Sequence, residues 1–330
     1  MPELWGLHGA LENSGIRLLL AIVIGLLLVA GGVIALLGAM GKLKPELRSE
    51  LIKRTGAWAV MVPIVILPIL LGKLPTTILV TILSLACYRE FARATGLFRD
   101  KVMAVLVIIA ILALNFAALD NWYDLFVALP ALAFVAILAV AILRDQPKGY
   151  VQRIGLSTLS MLLFGLCLAH ISFIANDPAY RGPMLLLLAC VGINDIYAFC
   201  VGKTFGGPKL VPNTSPGKTI SGAVGAVVLT TLTVVLLGPH IFSTELAQTH
   251  HLIAMGLLLS VCGILGDLAI SSVKRDVGIK DMGAIIPGHG GVLDRCNSLL
   301  LAAPAMFHYI GYVHHGFGTD QPMRILTGQH

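Results

Sequence analysis

The stretch VMAVLVIIAILALNFAAL, residues 102–119, indicates the fold class of this chain. Its 18 residues include no charged side chain, and about 20 apolar residues in a helix cross the hydrocarbon core of a bilayer. Similar apolar runs recur along the chain, and continuous runs predict membrane helices because a barrel strand would alternate instead. The ten predicted spans lie near residues 15–41, 57–72, 74–88, 102–119, 124–143, 154–174, 183–202, 219–238, 252–273 and 296–313.

The composition supports this interpretation over that of a very apolar soluble enzyme. Hydrophobic residues make up 57% of the 330 residues and charged residues only 12%, about half the share in soluble domains. Mean hydropathy is +0.90. We therefore expect an all-α, polytopic helix bundle. The six cysteines are scattered within or beside apolar segments, and their spacing does not predict a zinc site.

The positive charges predict the orientation of the bundle. Of the 23 Lys and Arg residues, 19 fall in alternate connecting loops. The positive-inside rule places these loops in the cytoplasm and both termini outside. The loops lie near residues 42–56, 89–101, 144–153, 203–218 and 274–295. The span near 57–72 contains Pro63 and Pro68, so it is predicted to be kinked or re-entrant.

The chain divides into three predicted regions: N-terminal helices over 1–180, a C-terminal catalytic region over 181–316 and a polar tail over 317–330. The first region carries little chemistry. Glu90, in Tyr88-Arg-Glu-Phe-Ala-Arg93, is expected to form a local ion pair with Arg89 or Arg93, with a functional carboxylate as the alternative.

A polar constellation occupies residues 266–298, GDLAISSVKRDVGIKDMGAIIPGHGGVLDRCNS. On a helix, Asp267, Ser271 and Lys274 share one face at spacings of four and three. Carboxylates suit a hard cation, and basic side chains suit phosphate groups. Asp267 and Asp294 are predicted metal ligands, with ion pairs to Lys274 or Arg295 as the alternative.

A second constellation spans residues 194–222, NDIYAFCVGKTFGGPKLVPNTSPGKTISG. Asp195 follows an apolar run, so its side chain should face a polar cavity. Lys218 and Thr219 open the next predicted helix, whose N-terminus attracts phosphate. The Gly-Lys-Thr triplet ending at Thr219 is not part of a P-loop, because Pro212 occupies the position of the first glycine.

Together these stretches resemble the phosphatidate cytidylyltransferase (CDP-diacylglycerol synthase) family over residues 194–298. The signature appears as Ser272-Val-Lys274-Arg275, Lys280-Asp281, Pro287-Gly-His-Gly-Gly291 and Asp294-Arg295, and the upstream element as Lys209-Leu-Val-Pro212 and Ser215-Pro-Gly-Lys-Thr219. The chain departs from the family pattern at Asn297, where an aspartate is usual, and at Ser221. These departures indicate a divergent paralogue.

The resemblance implies transfer of a cytidylyl group from CTP to phosphatidate, giving CDP-diacylglycerol and pyrophosphate. It also implies Mg²⁺ and allows a second cation. The implied catalytic residues are Asp267, Lys274, Arg275, His289 and Asp294. The implied substrate-binding residues are Asp195, Lys209, Ser215, Lys218, Thr219, Ser272, Lys280, Gly290, Gly291 and Arg295. The implied metal ligands are Asp267, Asp294 and Asn297.

Other interpretations remain open from sequence alone. The acceptor could be another lipid phosphate, the protein could be a lipid-phosphate kinase, or Asn297 could weaken turnover. A different class, an ion-coupled transporter, would use Asp195 and Asp267 as intramembrane carboxylates. His289 could instead hold its turn by a hydrogen bond. We expect membrane lipid but no nucleic acid as a partner, and the small-residue spacing Gly202-x-x-x-Gly206 is compatible with a homodimer.

Overall fold

The computed structural model describes residues 4–7, 9–242, 245–286, 290–313 and 324–328, and it forms a helix bundle with one small hairpin. The predicted all-α class is confirmed. The helices are α1 (Ser14–Ala39), α2 (Pro45–Leu71), α3 (Lys73–Ala94), α4 (Lys101–Leu119), α5 (Tyr123–Leu143), α6 (Tyr150–Ser160), α7 (Leu168–Ile174), α8 (Arg181–Phe205), α9 (Ile220–Ile241), α10 (Thr249–Asp276), α11 (Leu293–Cys296) and α12 (Leu299–Val313). A π-helical segment, Met161–Cys167, makes α6 and α7 continuous, and strands β1 (Lys209–Val211) and β2 (Ser215–Thr219) form the hairpin.

Nine helices of the described chain, with Tyr150–Ile174 counted as one, are long and apolar enough to cross a membrane. The protein is therefore a multi-pass membrane protein. The tenth predicted span, 296–313, is shorter than expected, since α12 has only 15 residues and extends about 22 Å at 1.5 Å per residue. The residues just before α12 form the short helix α11 and a turn instead.

The predicted loop over 42–56 is wrong for most of its length, because α2 already begins at Pro45. Proline is favoured in the first turn of a helix, where its missing N–H has no intrahelical partner. Pro63 and Pro68 lie inside this helix, which runs without interruption to Leu71. The re-entrant alternative for this span is therefore wrong.

The bundle has two ends with different polar contacts. The signature end is where α3, α5, α8 and α10 finish; there Arg144 pairs with Asp100. The opposite end is where α2, α4, α7 and α9 finish; there Arg181 donates to the Gly6 carbonyl at 3.0 Å. The basic segments between alternate helices thus gather at the signature end, as their alternation along the sequence predicted.

The C-terminal helices form the frame of the signature end. Helix α9 packs between α8 and α10, and α10 packs against α12. A buried, uncharged hydrogen-bond network joins α8, α9 and α10. The side-chain oxygen of Asn194 on α8 accepts hydrogen bonds from Thr230 on α9, at 2.9 Å, and from Ser260 on α10. Gly256 lies directly against the Thr231 backbone, and such small residues allow close helix contact in a membrane.

Candidate active site at the signature end

The β1–β2 hairpin places the upstream motif beside α10. Lys209 pairs with Thr219 across the antiparallel ladder, a strand pairing that the sequence did not predict. Thr219 is the N-cap of α9, and its hydroxyl oxygen accepts a hydrogen bond from the Gly222 N–H at 3.1 Å. The prediction that Thr219 opens this helix is confirmed. The cap fixes the position of the neighbouring Lys218.

Lys218 forms an ion pair with Asp267 of α10. The other oxygen of Asp267 accepts a hydrogen bond from the side-chain amide of Asn297, whose own oxygen accepts from the Ser298 N–H at 2.8 Å. Asp195 lies within electrostatic range of Asp267, Lys218 and Arg295. Residues from three separate segments therefore converge on Asp267 of α10.

A second lysine–carboxylate pair joins the last turn of the same helix to the short helix α11. Lys274 donates to Asp294 at 2.9 Å, and the Asp294 side chain is only 5% exposed. The second oxygen of Asp294 accepts from the backbone N–H groups of Met282, at 2.9 Å, and Gly291, at 3.0 Å. Asp294 thus ties the segment between α10 and α11, residues 277–292 and called the signature loop below, to the end of α10. The N–H of Gly291 is already engaged.

Arg275 joins the two constellations. Its Nε donates to the carbonyl of Thr214, in the hairpin turn, at 3.1 Å, and its Nη1 donates to the carbonyl of Ile279 at 3.3 Å. The guanidinium therefore holds the hairpin against the last turn of α10. This contact brings Lys218 and Lys274 to the same face of the molecule.

The other predicted site residues surround these pairs. Ser215 is half-buried in β2, and Gly290 has a positive φ of 80°. The Gly290 carbonyl accepts a hydrogen bond from the Ile286 N–H at 2.9 Å. His289 lies outside the described residues, together with Pro287 and Gly288. The predicted residues that are exposed are Asp195, Lys209, Ser272, Arg275, Lys280 and Arg295.

Glu90 is the residue that the sequence analysis assigned incorrectly. Among the described residues it does not pair with Arg89 or Arg93; its two oxygens accept from the backbone N–H groups of Val292, at 3.0 Å, and Leu293, at 2.8 Å. The partners lie 202 and 203 residues later in the chain. No local spacing rule could reveal such a contact; the only sequence signal was a carboxylate at a helix end.

The fold, the site and a comparison with known proteins together show the protein family of this chain. The chain is a multi-pass membrane protein with cationic side chains and carboxylates gathered at one end, and a model of the cytidylyltransferase family matches residues 52–313. The match covers well over half of the chain, so the chain belongs to the cytidylyltransferase family. This membership favours an enzyme over an ion-coupled transporter.

Three individual relatives show which members of this family the chain is similar to. The chain is 32% identical to the phosphatidate cytidylyltransferase of Bacillus subtilis over 249 residues, which cover 72% of this chain and 90% of the relative. It is 35% identical to that of Rickettsia felis over 201 residues, covering 54% and 88%. It is also 36% identical to the uncharacterized protein YnbB of Escherichia coli over 198 residues, covering 58% of this chain and 65% of that protein, slightly less than two thirds.

Proposed function

We propose that this protein condenses CTP with phosphatidate in the membrane, at a site facing the cytoplasm. A phosphate oxygen of the lipid attacks the α-phosphorus of CTP, the bond from that phosphorus to the bridging oxygen breaks, and pyrophosphate leaves. The observation that carries the proposal is the convergence of Lys218–Asp267 and Lys274–Asp294 at one end of the bundle. The similarity to phosphatidate cytidylyltransferases supports it.

The residues of the chain can supply what such a transfer needs. Phosphoryl and nucleotidyl transfer depend mainly on positioning and on neutralising negative charge. Lys218 and Lys274 each pair with a carboxylate. Lys218 can turn to phosphate oxygens when substrate enters, whereas Lys274 can stay on Asp294 and donate its remaining N–H groups to them. Arg275 and Arg295 present exposed guanidinium groups at the same end, and a guanidinium can bind phosphate through two parallel hydrogen bonds.

The carboxylates fit a magnesium ion unequally. The described residues hold no cluster of three or more His, Cys, Asp or Glu side chains, but Mg²⁺ is usually bound by one or two carboxylates together with substrate phosphates. Asp267, with Asp195 in its electrostatic neighbourhood, fits that pattern. The donors to both oxygens of Asp267 are side chains, those of Lys218 and Asn297, which can turn away. One oxygen of Asp294 is instead held by two backbone N–H groups, and the Asn297 oxygen accepts from Ser298.

We therefore assign Mg²⁺ to Asp267, with Asp195 beside it, in preference to Asp294 or Asn297. When bound, the ion would neutralise charge on phosphate oxygens. A second cation at the same carboxylates remains part of the proposal.

An apolar groove beside the hairpin supports a lipid acceptor. It has a volume of about 780 Å³ and lies between α8 and α9, where Phe205, Pro208, Ile220, Val224 and Val228 line it. Apolar side chains at a membrane boundary suit acyl chains, while Lys218 lies two residues before Ile220 on the polar side. A lipid phosphate can thus approach the charged cluster with its chains in the groove.

The test uses purified protein in detergent–lipid micelles with Mg²⁺, phosphatidate and CTP labelled on either the α- or the γ-phosphate. We expect α-label in the lipid and γ-label in pyrophosphate. Replacing Asp267→Ala should reduce transfer by on the order of 10³-fold, whereas Asp124→Ala, an exposed carboxylate at the opposite end, should not. Label from the γ-phosphate in the lipid would show a kinase instead.

A second candidate is the same transfer to a different lipid phosphate. Asn297 favours it, because this neutral amide, not a carboxylate, contacts Asp267. Replacing phosphatidate by a polyprenyl phosphate in the same assay distinguishes the two. Faster transfer to the polyprenyl phosphate would replace phosphatidate as the assigned acceptor.

A further inference from the structure

Glu90 lies near the end of α3, far in sequence from the cytidylyltransferase signature, yet its carboxylate is bound to the signature loop. The side chain is buried, with 4% exposure. Each of its oxygens accepts one hydrogen bond, from Val292 N–H and from Leu293 N–H. Both donors lie where α11 begins, and the first N–H groups of a helix have no partner within it.

Two glycines close around the same carboxylate. A Cβ atom placed on Gly283 would collide with one Glu90 oxygen, and a Cβ on Gly291 would collide with the other. The backbone of the signature loop therefore approaches Glu90 more closely than any residue with a side chain would allow. This fit places the loop against α3 at a defined distance.

The loop held by Glu90 is also the loop that holds Asp294. Three successive backbone N–H groups are divided between the two carboxylates: that of Gly291 goes to Asp294, and those of Val292 and Leu293 go to Glu90. Asp294 in turn accepts from Lys274 at 2.9 Å. A displacement at Glu90 is therefore transmitted to the position of the Lys274 ammonium group.

A buried carboxylate is costly unless donors satisfy it, and hydrogen bonds from N–H groups to a carboxylate are stronger than those between neutral groups. We propose that Glu90 is a positioning residue for the transfer reaction. It fixes the loop from Gly290 to Asp294, so that the Lys274–Asp294 pair presents its cation to the phosphates. This inference rests on the function proposed above.

The test compares Glu90→Gln and Glu90→Asp with the parent, and uses Glu50→Gln, an exposed carboxylate that pairs with Arg54, as the matched control. Gln keeps the shape of Glu but faces one of the two N–H groups with a donor. Asp keeps the charge but withdraws it by one methylene. We expect kcat to fall by roughly 10- to 100-fold in Glu90→Gln, since small misplacements of catalytic groups cost rate, with KM for CTP changed by less than about 3-fold.

Two measurements separate positioning from a folding role. Amide hydrogen exchange over residues 290–296 should accelerate in Glu90→Gln, while the thermal unfolding midpoint should stay within a few degrees of the parent. Glu90→Asp should recover part of kcat. Unchanged kcat and exchange in Glu90→Gln would overturn the proposal, and so would a loss of kcat that follows only the loss of folded protein.

A steric cycle gives an independent check. Gly283→Ala should lower kcat strongly in the parent but by a smaller factor in a Glu90→Ala background, where the colliding carboxylate is absent. An equal fall in kcat in both backgrounds would contradict the close contact between Gly283 and Glu90.

The exchange measurement also distinguishes the positioning role of Glu90 from the proposed function. A parent that labels neither phosphatidate nor another lipid phosphate would refute the proposed function, whereas slow exchange in the parent that is lost in Glu90→Gln would still establish the loop contact.

Discussion

The two ends of the bundle both contain lysines with polar partners, but the surroundings differ. At the signature end, the side chains of Lys218 and Asp267 are 22% and 17% exposed. At the opposite end, Lys73 is completely buried and donates to the side-chain oxygen of Asn176. An ion pair that solvent can reach can exchange its partner for a ligand, whereas a buried lysine is fixed in place. The signature end is thus suited to chemistry and the opposite end to holding helices together.

The largest effect expected from this contrast is on activity. Lys218→Met should reduce cytidylyl transfer by on the order of 10²–10³-fold, because a cation near the reacting phosphates is lost. The free energy of unfolding should fall by about 1–3 kcal/mol, because this pair is mostly shielded from solvent and Asp267 loses its cationic partner. The assay with labelled CTP and a thermal unfolding curve measure the two quantities on one preparation.

The control is Lys148→Met, which removes one positive charge from an exposed lysine at the same end and so tests the effect of net charge alone. A variant Lys218→Met that unfolds much more easily and transfers label normally would reverse the contrast between the two ends.

At the opposite end the expected effect is on stability. Asn176→Leu removes the acceptor of Lys73 and the donor to the Ala118 carbonyl, a hydrogen bond of 2.9 Å. Leaving such buried groups unsatisfied costs about 1–3 kcal/mol, and more for a charged group. Thermal unfolding should therefore occur at lower temperature, while kcat of the remaining folded protein stays the same.

The double variant Lys73→Met/Asn176→Leu provides the matching test. Replacing both partners by apolar groups can be nearly neutral, so the double variant should be more stable than Asn176→Leu alone. Strict additivity of Lys73→Met and Asn176→Leu would show that the two side chains are not coupled.

The smallest expected effect concerns pH and the segment Arg324–Gly328. Burial raises the pKa of Asp120, but hydrogen bonds from the Thr327 hydroxyl and from the backbone N–H groups of Leu326 and Thr327 outweigh it, so the pKa lies below its ordinary value of 3.8. Because the folded pKa is the lower one, this stabilisation is complete above the unfolded pKa of about 3.9 and is lost as the pH falls through the folded pKa.

Hydrogen exchange at Leu326 and Thr327 measures this loss. Asp120→Asn should weaken protection by the equivalent of about one hydrogen bond, 0.5–1.5 kcal/mol, and remove its additional pH dependence below about pH 4. Transfer activity should stay unchanged, since Asp120 lies at the opposite end. Identical pH profiles for the parent and Asp120→Asn would contradict the assigned contact.

The sequence predicted the helical class and the gathering of basic segments, because apolar length and charge alternation are set by the bilayer itself. It could not locate the start of α2 at Pro45, since a polar helical turn beyond the membrane resembles a loop in composition. It also missed the β1–β2 hairpin, whose two strands have only three and five residues. Of the polar tail predicted over 317–330 the structure describes only residues 324–328, where Arg324 lies over the Trp122 ring at 3.7 Å, a contact between distant positions that the sequence did not reveal.

The site was predictable where neighbours in sequence are neighbours in space. Thr219 as the start of α9 followed from local rules. Local rules did not predict the partners of Asp267. The helical spacing indicated Lys274, whereas in the structure Lys218 of the hairpin forms the ion pair. Asn297 was expected to offer its oxygen to a metal, whereas it presents its amide nitrogen to Asp267. Whether magnesium binds stays a prediction.

The sequence separation of Glu90 and Val292 also determines when their contact can form during translation. The two residues are 202 positions apart, so at about 5–20 residues per second the ribosome completes the partner roughly 10–40 s after Glu90. Throughout that interval the Glu90 carboxylate lacks these two N–H donors, so water or another donor has to satisfy it. A newly made chain that ends before Leu293 contains Lys218 and Asp267 but lacks Asp294, the partner of Lys274, so an incomplete translation product carries most of the charged groups without a finished site.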